Sequence, residues 1–243
     1  GQVQFHPFHE GAPNPSENAS PFSTPQILAE NTIGSPDLHL SCSNAGRVAW
    51  LTGPGNVHVE SFGTDAVVEF GCSPQASFLC LSPDGRHVVV VDSNSSARTV
   101  TIFDAETGDR RHVFPIPGGY VRTFYSPDSR LLVMNVLNEY QVRDATSGSL
   151  LHTIPRESGL MGAAAWTTDG SLLALACGDV RLFDAHTFAP VATLHAPVPQ
   201  SICTSLALTP DGSRLFASFE TREIHCWDLE SIRRQLAELN LDW

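Results

Sequence analysis

A tetrapeptide turn that returns at nearly constant spacing constrains this chain more than any other feature. Ser82-Pro83-Asp84-Gly85, Ser126-Pro127-Asp128-Ser129, Thr167-Thr168-Asp169-Gly170 and Thr209-Pro210-Asp211-Gly212 follow one another at intervals of 44, 41 and 42 residues. Proline, where present, presets the second turn position, and Gly or Ser closes the turn. A period of this length marks a repeat architecture in which each unit buries its apolar surface against its neighbours.

A second marker follows each turn. An apolar strand ends in aspartate at Phe103-Asp104, Arg143-Asp144, Phe183-Asp184 and Trp227-Asp228, spaced 40, 40 and 44 residues apart. Between the markers lie short aliphatic runs: Val88 to Val91, Leu131 to Val136 and Leu172 to Cys177. They alternate no polar residues, so they read as strands covered on both faces.

Each repeat therefore divides into four strands joined by short turns, an antiparallel meander. In the second unit these run Phe78 to Ser82, His87 to Ser93, Arg98 to Asp104 and Arg110 to Ile116. The third unit spans about 118–157, the fourth 158–197 and the fifth starts at 198. A weaker first unit covers about 37–70, with Asn44-Ala45-Gly46 in place of the proline turn. The fold class expected is all-β: a β-propeller of about five four-stranded blades, followed by a short C-terminal helix.

Two segments break the repeat, dividing the chain into residues 1–36, 37–230 and 231–243. The first is rich in Pro, Ser and Asn; Gln2 to Pro7 reads as a strand of a further blade, and Thr24-Pro25 as the start of a short helix. In the last, Ile232, Leu236 and Leu239 recur at helical spacing after Asp228 or Ser231 as a cap. This helix replaces the fourth strand of blade five.

With 26 acidic residues against 14 basic ones, the formal charge of −12 disfavours nucleic acid as a partner. All 14 basic residues are Arg, which removes the lysine of P-loops, kinase ATP sites and Schiff-base enzymes. The six cysteines are scattered without a C-x-x-C pair and read as buried free thiols in a reducing, cytoplasmic setting. No apolar run is long enough to span a bilayer.

The Ser-Pro-Asp-Gly turn, the strand ending Trp227-Asp228 and the Thr107-Gly108 and Ser147-Gly148 hairpins resemble WD40 repeats of the bacterial kind over about residues 37–230. The stretch Cys226-Trp227-Asp228-Leu229, then Arg233 to Leu239 and Leu241-Asp242-Trp243, is similar to the end of propellers in planctomycete-like bacteria, often downstream of a serine/threonine protein kinase domain. The resemblance implies a ring of about seven blades, some of them N-terminal to this chain. It implies a scaffold role, or alternatively the sensor end of a larger kinase. The chain departs from the family pattern in lacking any Gly-His dipeptide, in placing Arg143 where an aromatic stands, and in placing Phe188 where the hairpin glycine stands.

Chemistry is sparse. His6 and His9 are three residues apart without a third ligand, short of what zinc needs. Asp104, Asp144, Asp184 and Asp228 occupy one place in successive repeats, where a carboxylate holds the turn by accepting backbone N–H bonds. No Gly-x-Ser-x-Gly elbow, His-Glu-x-x-His or glycine-rich phosphate loop occurs. The expectation is a non-catalytic module with no cofactor and no metal, binding a protein or peptide. Its binding surface is expected on the rim formed by second-to-third turns and inter-blade links, at Asn94, Arg98, Tyr120, Asn138, Arg156, Asp179, Glu220 and Arg222.

Overall fold

The computed structural model describes residues 2–5, 26–30, 40–52, 55–64, 66–93, 96–157, 162–195 and 202–241, the first two stretches as backbone. A two-stranded antiparallel sheet pairs β1 (Gln2–Phe5) with β2 (Gln26–Glu30). The helix expected after Thr24-Pro25 is therefore corrected to a strand. Five residues in a helix would close barely one i to i+4 bond, whereas extended pairing satisfies backbone groups of both segments.

Four antiparallel meanders follow. Blade 1 contains β3 (Leu40–Cys42), β4 (Arg47–Thr52), β5 (Asn56–Ser61) and β6 (Val67–Gly71). Blade 2 contains β7 (Phe78–Leu81), β8 (His87–Asp92), β9 (Thr99–Asp104) and β10 (Arg110–Pro115). Blade 3 contains β11 (Thr123–Tyr125), β12 (Leu131–Val136), β13 (Glu139–Asp144) and β14 (Leu150–Pro155). Blade 4 contains β15 (Ala164–Trp166), β16 (Leu172–Cys177), β17 (Asp179–Asp184) and β18 (Pro190–Leu194). Blade 5 has three strands, β19 (Cys203–Leu208), β20 (Arg214–Phe219) and β21 (Ile224–Asp228), and then α1 (Leu229–Glu238) where a fourth strand would run.

The aliphatic second strands explain the stacking. Side chains alternate faces along a strand, and in β8 Val88 and Val90 pack toward blade 1 while Val89 and Val91 pack toward blade 3. In β12, Leu132 and Met134 face blade 2 and Val133 faces blade 4; in β16, Leu173 and Leu175 face blade 3 while Ala174 and Ala176 face blade 5. Each of four apolar layers lies between consecutive blades, so every middle sheet is covered on both sides. The first strands β3, β7 and β11 adjoin in order, as do β15 and β19, which puts the first strand of each blade innermost.

The blades at the two ends of the stack each have one face outside these four layers. Val67 on blade 1 and Ile224 on blade 5 are solvent-exposed. The same position corrects one sequence expectation: Cys177 and Cys203 are buried free thiols, but Cys42 and Cys226 are exposed. Cys42 and Cys226 lie on β3 and β21, in the terminal sheets.

Helix α1 begins at Leu229 because Asp228 caps it, its side chain accepting from the Ser231 N–H at 2.8 Å. It ends on Asn240 at φ 58°, with Asn240 N–H bonded to Ala237 and Leu241 N–H to Leu236, a closing pattern in which a left-handed residue satisfies the last carbonyls.

Candidate partner-binding rims

A meander places first-to-second and third-to-fourth turns on one rim, here the turn rim, and second-to-third turns with inter-blade links on the other, the link rim. On the turn rim the four repeated tetrapeptides form one hydrogen-bonded device. The Ser82, Ser126 and Thr167 hydroxyls each donate to the aspartate two residues on at 2.6 Å and accept from the N–H five residues on at 2.9–3.0 Å. In blade 5, Thr209 accepts from Arg214 N–H at 3.0 Å. The Thr167 and Thr209 hydroxyls pull the Asp169 and Asp211 carboxyls down to about 2.

The strand-terminal aspartates form a second device. Asp104, Asp144 and Asp184 each accept through Oδ1 from the N–H groups two and three residues on, at 2.6–3.1 Å. Arg111 bonds the other oxygen of Asp104 at 2.7 Å and, with these N–H groups, lowers that carboxyl to about 2. In blade 5 the same position, Asp228, caps α1 instead. These oxygens are committed to backbone, which leaves the aspartates apart from one another in separate blades. Among the described residues no three His, Cys, Asp or Glu side chains gather as metal ligands.

The link rim is built differently. Asn135, 1% exposed, sits near the end of β12 and grips the preceding link: its amide donates to the Tyr120 carbonyl at 2.9 Å and its carbonyl oxygen accepts from the Arg122 N–H. Beside that clamp, Leu137 turns the chain at φ 48°, and its Cδ2 lies 3.5 Å from the place a Gly119 Cβ would occupy. Tyr120 and Leu137 are 47% and 45% exposed, and the Arg122 guanidinium lies 5.6 Å from the Tyr120 ring centroid. Arg122 also donates to the Thr204 carbonyl at 2.9 Å, linking blades 3 and 5, which are not neighbours in the stack.

Of the expected rim residues, Arg98, Tyr120, Asn138, Glu220 and Arg222 are exposed. Asp179 is half-buried and pairs with His195 at 2.9 Å. Arg156 departs from the expectation: it is 7% exposed, lying 5.2 Å from the Tyr140 ring centroid and bonding the Glu157 carbonyl. Its methylenes and planar guanidinium pack against the interior, as arginine can. Asn94, with His6 and His9, lies outside the described residues.

Sequence reading missed Asn135, Leu137 and Arg122. The signal for Asn135 was present, an amide inside an otherwise aliphatic strand, where a buried polar group needs partners. No family model matches the chain.

No helix among the described residues is long and apolar enough to cross a membrane. Two of the three departures from the repeat pattern, Arg143 and Phe188, are accommodated by stacking. Arg143 lies 4.4 Å from the Phe114 ring centroid of blade 2, where Phe103 in the preceding blade meets Phe70 at 5.0 Å. Phe188, at φ 58° in the glycine position, stacks on His152 at 5.3 Å.

Proposed function

We propose that this chain is a non-catalytic segment of a WD40-type propeller that holds a protein or peptide partner on its link rim, centred on Tyr120 and Leu137. The reading is carried by one observation: two large apolar side chains stand about half-exposed on this rim, Tyr120 on the link that Asn135 holds and Leu137 two residues beyond Asn135, against the Gly119 position of the same link. Exposed apolar groups beside arginines, on loops held by a rigid scaffold, match the composition of binding hot spots. A left-handed leucine is strained, and strain of this kind gathers at functional loops. The recurring turn and aspartate devices support the WD40 reading, since they repeat in the positions that carried the resemblance. Arg98, Asn138, Glu220 and Arg222 then serve as the polar surround, with Arg156 underneath.

The test is retention by the immobilised chain, comparing the wild type with Tyr120→Ser and Leu137→Ser. Proteins held by the wild type are lost from both variants while their melting temperatures stay within a few degrees. Equal retention by all three would contradict the proposal.

A further inference from the structure

The turns of neighbouring blades touch at three of the four steps of the stack. At blades 1 and 2, a Cβ on Gly85 would meet Arg47 Cδ at 3.0 Å and Ser43 Oγ at 3.1 Å, and the Asn44 N–H donates to the Pro83 carbonyl at 2.9 Å. At blades 2 and 3 the corresponding residue is Ser129, whose hydroxyl accepts from the Asp84 N–H at 3.0 Å. At blades 4 and 5, a Cβ on Gly212 would meet the Thr167 methyl at 3.0 Å. Gly170 holds the corresponding place at blades 3 and 4, and a Cβ there would meet nothing within 4 Å. The turns stand farther apart at Gly170, and the step between blades 3 and 4 stays open.

The gap is a cleft of about 250 Å³ lined by Asp128, Leu131, Trp166, Asp169 and His186 among others. That is smaller than the roughly 300–1,000 Å³ of sites for drug-sized ligands, and suits a single side chain. Leu131 and Trp166 give it apolar walls, and two aspartates from facing turns contribute the charge. Each spends Oδ1 on its own turn, bonding Ser126 and Arg130 in one case and Thr167 and Ser171 in the other. Among the described residues Asp128 Oδ2 has only Arg130 at 3.8 Å, a pair exposed to solvent.

We propose that this cleft binds one cationic side chain, an arginine or lysine, presented by a partner protein at the turn rim. The aliphatic stem lies along Trp166 and Leu131, where a cation is also attracted to the indole face, and the charged head meets the Oδ2 atoms. Both carboxyls are ionised across the neutral range: the Thr167 hydroxyl holds Asp169 at about 2, and although burial raises Asp128, the Ser126 hydroxyl and Arg130 N–H together bring it below its usual range. The chain's charge of −12 draws cations toward the surface as a whole. This site lies on the rim opposite Tyr120 and Leu137, so it stands or falls separately from the proposed function.

The experiment titrates the whole chain with N-acetyl-arginine amide and N-acetyl-lysine amide at low ionic strength, following the Trp166 indole and Gly170 amide NMR signals. Saturable shifts with a dissociation constant on the order of millimolar are expected for a ligand this small; the better of the two amides identifies the side chain. Neutral N-acetyl-glutamine amide leaves the signals unmoved. Gly170→Ser, which installs the Ser129 arrangement at a similar φ (72° against 64°), weakens binding tenfold or more, read at Trp166. Asp128→Asn, on the facing turn, weakens it several-fold and carries the test should the first variant fail to fold. Equal shifts with the neutral amide, unchanged affinity in Asp128→Asn, or saturation by calcium chloride without response to either cationic amide would each overturn the proposal.

Discussion

The Tyr140 hydroxyl donates to the Ala176 carbonyl at 2.7 Å and accepts from the Ala163 N–H at 3.1 Å, so a side chain of blade 3 completes the backbone hydrogen bonding of blade 4. Tyr140 is fully buried, and burial raises its pKa well above the ordinary phenol range. Tyr140→Phe leaves a buried N–H and a buried carbonyl short of a partner, a cost of about 1–3 kcal/mol. Denaturant unfolding measures this directly; an unchanged midpoint would mean that the staple contributes nothing.

Gly108 closes the third hairpin turn of blade 2 at φ 73°, and a Cβ there would stand 2.6 Å from the Phe70 Cβ. Gly108→Ala combines left-handed strain with a clash between blades 1 and 2, and is expected to destabilise by about 2 kcal/mol or more. Phe188→Gly makes the opposite exchange, relieving strain while losing the stack on His152, so its expected effect is within about 1 kcal/mol of zero. Thermal melts of the two variants should differ clearly; equal losses would contradict this account of the hairpin.

Acid should weaken the fold. Asp104, Asp169 and Asp211 have folded pKa values of about 2, below the unfolded value near 3.9, so the stability they add is present above pH ~4 and is lost as pH falls toward 2. Burial pushes His87 down as well, which adds a shallower loss below about pH 6.5. Melting temperature measured against pH should decline gently from 6.5 and steeply below about 4.5, with a smaller acid slope in Asp104→Asn. A curve level down to pH 3 would contradict the assignment.

The repeat was legible because its signals are local. A turn tetrapeptide, a strand-ending aspartate and a valine run such as Val88 to Val91 each report on residues within one strand or turn, and their recurrence fixed the blades. Contacts between blades were not legible in that way. Which side chain meets Tyr140, or what Arg122 reaches in blade 5, depends on how sheets stack, and the sequence of either blade alone does not contain it. The left-handed Leu137 was hidden for a further reason: turn rules lead one to expect Gly or Asn at positive φ, and Asn138 stands next to it. The Thr24-Pro25 cap misled because a start signal says nothing about whether the residues after it find a strand partner.

The same carboxylate position that turns a hairpin in blades 2, 3 and 4 starts a helix in blade 5, because both structures offer N–H groups close behind the aspartate. Asp228→Ala should cost about 1 kcal/mol, the usual value of an N-cap, and should fray α1 from its start, although Leu229 stays buried against blade 5. Hydrogen exchange at Ser231 reads the fraying; unaltered exchange there would show that packing alone holds the helix.

On the proposed reading the link rim carries the partner. Hydrogen–deuterium exchange of the chain with and without a protein it retains tests this most directly. New protection is expected at residues 116–122 and 136–139, with the link-rim turn at 220–222 protected less. Protection absent from those segments, and present only at the turn-rim residues 82–87, 126–131 and 209–214, would contradict it.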